Sequence, residues 1–123
     1  MVDKIILVVL GIEHIGFGLL GLFSPERAAS LVGFDLTRLS AFSEVRAHYS
    51  LFLVIGIMSF LALRRMQLQT YVYQTYALIF GSYLVGRLYS LFVDGFPDST
   101  GWIVILAELA VVLVSIWRNK KAG

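Results

Sequence analysis

Residues 5–23 read IILVVLGIEHIGFGLLGLF, an apolar run in which only Glu13 and His14 are ionisable. A helix needs about 20 mostly apolar residues to cross the hydrocarbon core of a bilayer, so this run predicts a membrane-spanning helix. Lys4 precedes the run as a basic residue precedes the apolar core of a signal peptide. The charged dyad inside the run and the lack of a small-residue cleavage site after it favour a helix that is retained.

Three further stretches of the chain have the same character. They cover residues 42–63, 71–93 and 102–117, and each carries few charged side chains. Four helices of this length take about 80 residues, which leaves room for short connections only. The sequence therefore predicts an all-α fold, an integral membrane four-helix bundle that forms a single domain.

The composition agrees with a protein that lies in lipid. Of the 123 residues, 59% are hydrophobic and 15% are charged, whereas soluble domains have about 45–50% apolar and about 25% charged residues. The formal net charge is +2, and no basic run is interleaved with polar residues, which argues against a nucleic acid as partner. The chain has no cysteine, which excludes disulfides, thiol chemistry and thiolate metal sites.

The connections between the spans carry helix-end and turn signals. Ser24 and Pro25 predict a helix start, with a capping hydroxyl followed by a proline at the first helical position. Gly33 ends this segment, which is too short to span and is expected to be an interfacial amphipathic helix between spans one and two. Residues 94–98 predict a tight turn after span three, and the last span is expected to start in the turn at Ser99.

The distribution of basic residues predicts the orientation of the chain in the membrane. The side that holds both termini and the middle loop has six of them: Lys4, Arg64, Arg65, Arg118, Lys120 and Lys121. The other side has four: Arg27, Arg38, Arg46 and Arg87. Since positive charge is retained on the cytoplasmic side, both termini are expected to be cytoplasmic.

Polar residues gather in the outer half of the predicted spans. With a rise of about 1.5 Å per residue, all four helices place ionisable side chains there. On the third span a polar stripe recurs at i, i+4, i+7 and i+11, formed by Tyr83, Arg87, Ser90 and Asp94. On the first span Gly11, His14, Gly18 and Gly21 share a face, which predicts close packing against another helix.

These polar residues have a structural interpretation and a functional one. Ion pairs of Arg87 with Asp94 or Glu108, and of Arg46 with Glu44, would only fix the register of the helices. The outer half of the predicted spans and their outer ends contain four acidic residues but only two arginines, however. Because charge at membrane depth is costly, this excess of acidic residues favours a shared polar pocket. The candidate ligand-binding or proton-relay residues are Glu13, His14, Glu44, Arg46, His48, Tyr83, Arg87, Ser90, Asp94 and Glu108.

Two weaker patterns receive ordinary interpretations. Tyr71, Tyr73 and Tyr76 are expected to belong to an aromatic belt at the membrane interface. His14 and His48 occur one per helix, without a second histidine at i+3 or i+4, so the sequence predicts no metal site and no cofactor.

Two motifs resemble a family of small bacterial membrane proteins known only as a domain of unknown function. In that family an acid-x-Arg-x-x-Tyr motif opens the second span, as Glu44, Arg46 and Tyr49 do here. An Arg-x-x-Ser-x-x-x-Asp-Gly-x-Pro signature closes the third, as residues 87–97 do, and an acid in the fourth span corresponds to Glu108. The resemblance implies four spans in a bacterial inner membrane and a polar layer, and more distantly a DoxX-like or sterol-isomerase-like bundle.

Three functions are compatible with this pattern. The first is a pocket that binds, and in one variant processes by acid–base chemistry, a hydrophobic small molecule or lipid; there Glu44 with His48 would move protons. The second is a proton-coupled exporter similar to the small multidrug transporters, which would use Glu13. The third is a homo-oligomer or an accessory subunit of a larger membrane complex, in which the polar layer is structural.

Overall fold

The computed structural model describes residues 1–122, and α-helices account for most of them. In chain order the helices are α1 (Val2–Phe23), α2 (Pro25–Leu31), α3 (Leu39–Arg64), α4 (Gln67–Val93) and α5 (Ser99–Ala122). The described residues contain no β-strand. All helices except α2 are long and apolar enough to cross a membrane. The predicted class is therefore confirmed: an all-α integral membrane protein with four spans and a short helix between the first two.

The four long helices begin three or four residues before the apolar runs that predicted them, at residues 2, 39, 67 and 99. The backbone hydrogen-bond pattern, and not hydropathy, defines a helix end, so polar flanking residues are included in the helices. The last span begins at Ser99, as predicted. An Asp98 carboxylate oxygen accepts the Gly101 N–H at 3.0 Å, which satisfies one of the backbone donors at the start of α5.

The junction between α1 and α2 differs from the prediction at one residue. Among the described residues, the Ser24 hydroxyl finds no capping hydrogen bond, so the predicted side-chain cap is wrong. Ser24 is held by its backbone instead: its N–H donates to the Leu20 carbonyl at 2.7 Å, and its carbonyl accepts the Ala28 N–H at 3.2 Å. Pro25 does open α2, and Gly33 follows the helix with a φ of +90°, a conformation that favours glycine.

The chain divides into two compact units, Met1–Leu68 and Gln69 onward, and the prediction of a single domain stays a prediction. In the first unit α1 and α3 run antiparallel and pack along a seam of glycines. A Cβ atom at Gly18 would lie 2.5 Å from the Leu53 backbone nitrogen and 2.7 Å from its Cα. Gly21 faces the Tyr49 ring in the same way. The predicted close-packing face of the first span is confirmed, because small residues let the backbones approach.

The second unit contains α4 from Gln69 onward, the turn at residues 94–98 and α5. Gly95 has a φ of +96° and reverses the chain. Within α4 the Tyr73 and Tyr76 side chains are fully buried, whereas Tyr71 is exposed. The predicted aromatic belt is therefore wrong for two of the three tyrosines. Residues three apart on a helix share a face, and this face of α4 is buried.

Candidate functional site

The described part of the second unit contains an open cavity of about 580 Å³ between α4 and α5, next to the turn that joins them. We call it the α4–α5 cavity. Its volume falls within the range of about 300–1,000 Å³ that small-molecule sites occupy. The residues of the predicted polar stripe line it together: Tyr83, Arg87, Ser90 and Asp94. The structure thus brings four of the ten candidate residues to one site.

The polar stripe is the C-terminal part of a longer face of α4. Steps of four and three residues lead from Gln69 through Tyr73, Tyr76 and Phe80 to Tyr83, and all but the last are buried. The Phe80 and Tyr83 rings meet edge to face, with centroids 5.5 Å apart. Such alternating steps keep residues on one side of a helix. The polar stripe therefore continues the buried face of α4 toward the C-terminal end of the helix.

Arg87 forms a two-point ion pair with Glu108 across the α4–α5 hairpin. Its Nε–H donates to one carboxylate oxygen at 2.6 Å, and its Nη2 donates to the other at 2.7 Å. The Glu108 side chain is 8% exposed, whereas that of Arg87 is 41% exposed. This geometry matches the planar fork of the guanidinium to the carboxylate and gives strong, oriented hydrogen bonds. Of the two partners expected for Arg87, the structure selects Glu108.

Asp94 has a different partner. Its Oδ2 accepts a hydrogen bond from the Ser90 hydroxyl at 2.7 Å, and its backbone N–H donates to the Ser90 carbonyl at 2.8 Å. These two bonds place the carboxylate at the end of α4, where the chain turns into Gly95. Pro97 packs so closely against Gly101 that a Cβ atom on residue 101 would have no room. The turn is therefore built to hold Asp94 at the cavity.

Apolar residues form the rest of the cavity wall. Leu91 comes from α4, Ile105 from α5, and Phe96 from the turn. The Phe96 ring also contacts Trp102, with centroids 6.1 Å apart. A cavity lined by a charged arginine, a carboxylate and several apolar side chains suits a molecule that has a polar head and an apolar body.

Five of the other candidate residues lie in the first unit, and none of them lines the α4–α5 cavity. Glu13 is exposed on α1, while the neighbouring His14 is buried in the glycine seam. Nδ1–H of His14 donates to the Leu10 carbonyl at 2.8 Å. The His14 and His48 rings both contact the Phe52 ring, at centroid distances of 5.6 and 5.1 Å. His14 thus takes part in aromatic packing between α1 and α3, whereas the contact of the exposed His48 lies within α3.

Glu44 and Arg46 are exposed near the start of α3. In the part of the chain that the structure describes, no ion pair joins them; the Arg46 guanidinium instead donates to the Leu22 carbonyl at the end of α1. The expected Arg46–Glu44 pair is therefore wrong. The last carbonyls of a helix have no partner within it, and they attract a cationic donor.

Sequence analysis missed two buried polar groups on α5. Ser115 and Asn119 follow Glu108 at i+7 and i+11, the same spacing that marked the stripe on α4. Ser115 Oγ and Asn119 Oδ1 are buried and have no hydrogen-bond partner among the described residues. A buried polar group without a partner costs about 1–3 kcal/mol. The sequence shows this spacing, but the two residues were missed because neither is charged at neutral pH.

Replacing Ser115 with alanine is expected to raise the free energy of unfolding by about 1 kcal/mol, because it removes an unsatisfied hydroxyl. Ser59→Ala is the matched control, since Ser59 is equally buried but its hydroxyl donates to the Ile55 carbonyl at 3.0 Å. Thermal unfolding of both variants in the same detergent measures the difference. A loss of stability in Ser115→Ala as large as that in Ser59→Ala would show that the hydroxyl has a partner.

The fold and the cavity define the chain as a four-span integral membrane protein with a polar cavity in its α4–α5 hairpin. The family model described as a domain of unknown function, DUF4345, matches residues 2–118, so the chain belongs to that family. No curated protein and no solved structure matches the chain.

Proposed function

We propose that the protein binds a hydrophobic small molecule or lipid in the α4–α5 cavity. The observation that carries this proposal is one cavity of about 580 Å³ that joins a polar wall on α4 to apolar walls from three elements. The head of the ligand would lie at Arg87, Ser90 and Asp94. Its body would lie against the apolar walls and would continue into the surrounding lipid.

The ion pair supports binding more than transport or catalysis. Charge inside a membrane is costly, and by default such residues face a cavity or a ligand. Arg87 and Glu108 hold each other in two short hydrogen bonds, so the polar wall is fixed before a ligand arrives. A preformed wall reduces the entropy cost of ordering side chains when the ligand binds. Glu44 and His48, the pair considered for proton transfer, are both exposed on α3.

The location of the site follows from the distribution of basic residues. We place the chain in a bacterial inner membrane with both termini in the cytoplasm, because the two ends and the middle loop hold six of the ten basic residues. The turn at residues 94–98 then lies on the outer side, and the α4–α5 cavity opens in the outer leaflet. The resemblance to DoxX-like bundles, in which acids line a lipid-accessible cavity, supports the same interpretation.

The alternatives stay predictions. Transport by a proton-coupled exporter requires a carboxylate at Glu13, which is exposed on α1. An accessory subunit or a homo-oligomer requires a protein partner for the exposed helix faces. The cavity favours a small ligand over both, since its lining comes from α4, α5 and their turn.

A pair of glycine variants tests the proposal. Gly86 lines the cavity and Gly81 does not, and a Cβ atom at either position would meet nothing within 4 Å. Gly86→Leu is therefore expected to place a bulky side chain in the cavity without disturbing the helix, and Gly81→Leu is the matched control. A photoreactive alkyl alcohol, which carries a diazirine, is cross-linked to each protein in lipid bilayers, and the sites are mapped by mass spectrometry.

We expect the wild-type chain and Gly81→Leu to be labelled mainly within residues 83–105. Gly86→Leu is expected to lose most of this labelling, because its side chain occupies the place of the ligand body. Labelling spread evenly over all the helices, or unchanged in Gly86→Leu, would contradict the proposal.

A further inference from the structure

We infer that the α4–α5 cavity recognises an organic ammonium group, and that Asp94 is the residue that binds it. This inference rests on the proposed function, since it names the head group of the molecule that the cavity holds. It depends on three observations: the charge of Arg87 is paired with Glu108, no ion pair among the described residues involves Asp94, and the aromatic ring of Phe96 lines the same cavity as Asp94.

Among the described residues that line the cavity, Arg87 is the only basic one. Its guanidinium gives two hydrogen bonds, at 2.6 and 2.7 Å, to the buried carboxylate of Glu108. The Glu108 carboxylate already neutralises this guanidinium. An anionic head that used the remaining Arg87 donors would place a further negative charge beside Glu108, in a cavity that Asp94 also lines. Because like charges brought together at one site repel, the cavity disfavours carboxylate and phosphate heads.

Asp94 keeps its charge available to a ligand. The side chain is exposed, and it accepts one hydrogen bond, from the neutral Ser90 hydroxyl, at 2.7 Å. No ion pair joins it to a basic residue among residues 1–122. With Arg87 at +1 and Asp94 and Glu108 at −1 each, the charged groups at the cavity sum to −1. A cation is the ligand charge that complements this site.

Phe96 adds a second feature that a cation prefers. It lies two residues after Asp94 and lines the same cavity, and its side chain is exposed. The face of an aromatic ring attracts ammonium groups. The neutral hydroxyl of Ser82, also in the lining, is already donated to the Leu78 carbonyl at 2.7 Å. An ammonium head on an apolar chain therefore fits the lining best.

Three probes that have the same alkyl chain length and differ in head-group charge test this inference. They are decylammonium, decanol and decanoate, each added to protein in dodecyl maltoside. Trp102 reports binding because its ring contacts Phe96. The background is Trp117→Phe, which leaves Trp102 as the remaining tryptophan of the two in the chain. Phosphatidylethanolamine and phosphatidylglycerol, added as competitors, distinguish a lipid head from a free amine as the source of the ammonium.

We expect decylammonium to bind more tightly than decanol, and decanoate to bind most weakly. Asp94→Asn is expected to weaken decylammonium binding about tenfold, as the loss of one ionic contact does, and to leave decanol binding unchanged. Asp98→Asn is the matched control: Asp98 lies four residues away and caps α5, and asparagine caps a helix equally well. Its decylammonium binding is expected to equal that of the wild-type chain.

Displacement of decylammonium by phosphatidylethanolamine and not by phosphatidylglycerol would assign the ammonium to a lipid head. Binding that neither lipid displaces would assign it to a free amine. Tighter binding of decanoate, or an unchanged affinity in Asp94→Asn, would overturn the assignment and leave the proposed function standing. If none of the three probes binds, the proposed function fails together with the assignment.

Discussion

Replacing Arg87 with methionine is expected to lower the free energy of unfolding by about 3 kcal/mol, the loss that follows when one partner of a buried ion pair is removed. The variant leaves the Glu108 carboxylate, 8% exposed, without its counter-ion. Glu108→Gln is expected to cost less, because the Arg87 side chain that it leaves without a counter-ion is 41% exposed and therefore much less buried than Glu108. The size of the two losses should therefore follow the burial of the group that is left behind.

A double-mutant cycle in one detergent checks this asymmetry. The double variant Arg87→Met/Glu108→Leu is expected to recover most of the stability lost in Arg87→Met, because it leaves no charge unpaired. Arg65→Met is the control, since Arg65 is exposed after the end of α3 and should change stability by less than about 0.5 kcal/mol. Equal losses for Arg87→Met and Glu108→Gln, with no recovery in the double variant, would contradict the pairing.

The second large effect is expected in the seam between α1 and α3. Gly18→Ala should destabilise the protein by about 2 kcal/mol, because the added methyl group overpacks the interface. The new Cβ atom would lie 2.5 Å from the Leu53 backbone nitrogen. A flexible side chain can move away from such a contact, but the backbone of α3 can yield only if the whole helix shifts.

Gly16→Ala is the matched control for this substitution. Gly16 lies two residues away on the same helix, and a Cβ atom there would meet nothing within 4 Å. Alanine is about 1 kcal/mol more favourable than glycine inside a helix, so this variant should be neutral or stabilising. Reversible unfolding of both variants gives the comparison. A Gly18→Ala variant as stable as Gly16→Ala would mean that the two backbones do not approach at this point.

The sequence predicts the spans well because apolar runs of this length have few other uses. The ends of the helices are less predictable, since the backbone of α3 and α4 stays helical through polar residues such as Gln67. The Ser24 cap was wrong for a related reason: the residue joins two helices, and its backbone groups already hold both ends. Local signals predict where a chain turns better than which atoms bond there.

The site was predictable where one helix builds it. Tyr83, Arg87, Ser90 and Asp94 share a face of α4 by spacing alone, and they line one cavity. The choice of Glu108 over Asp94 as partner of Arg87 depends on the register between α4 and α5, which a single sequence does not specify. Ser115 was missed because a neutral hydroxyl on an apolar helix carries no charge signal, although its spacing from Glu108 places it on the same face.

Native mass spectrometry tests the central claim, that the α4–α5 cavity holds an amphipathic molecule, most directly. The wild-type chain, Gly86→Leu and Gly81→Leu are purified from membranes in the same detergent, and the mass retained by each chain is measured. We predict that the wild-type chain and Gly81→Leu retain the same small molecule, and that Gly86→Leu, whose added side chain enters the cavity, loses it. Equal retention by all three proteins, or no retained molecule on the wild-type chain, would contradict the claim.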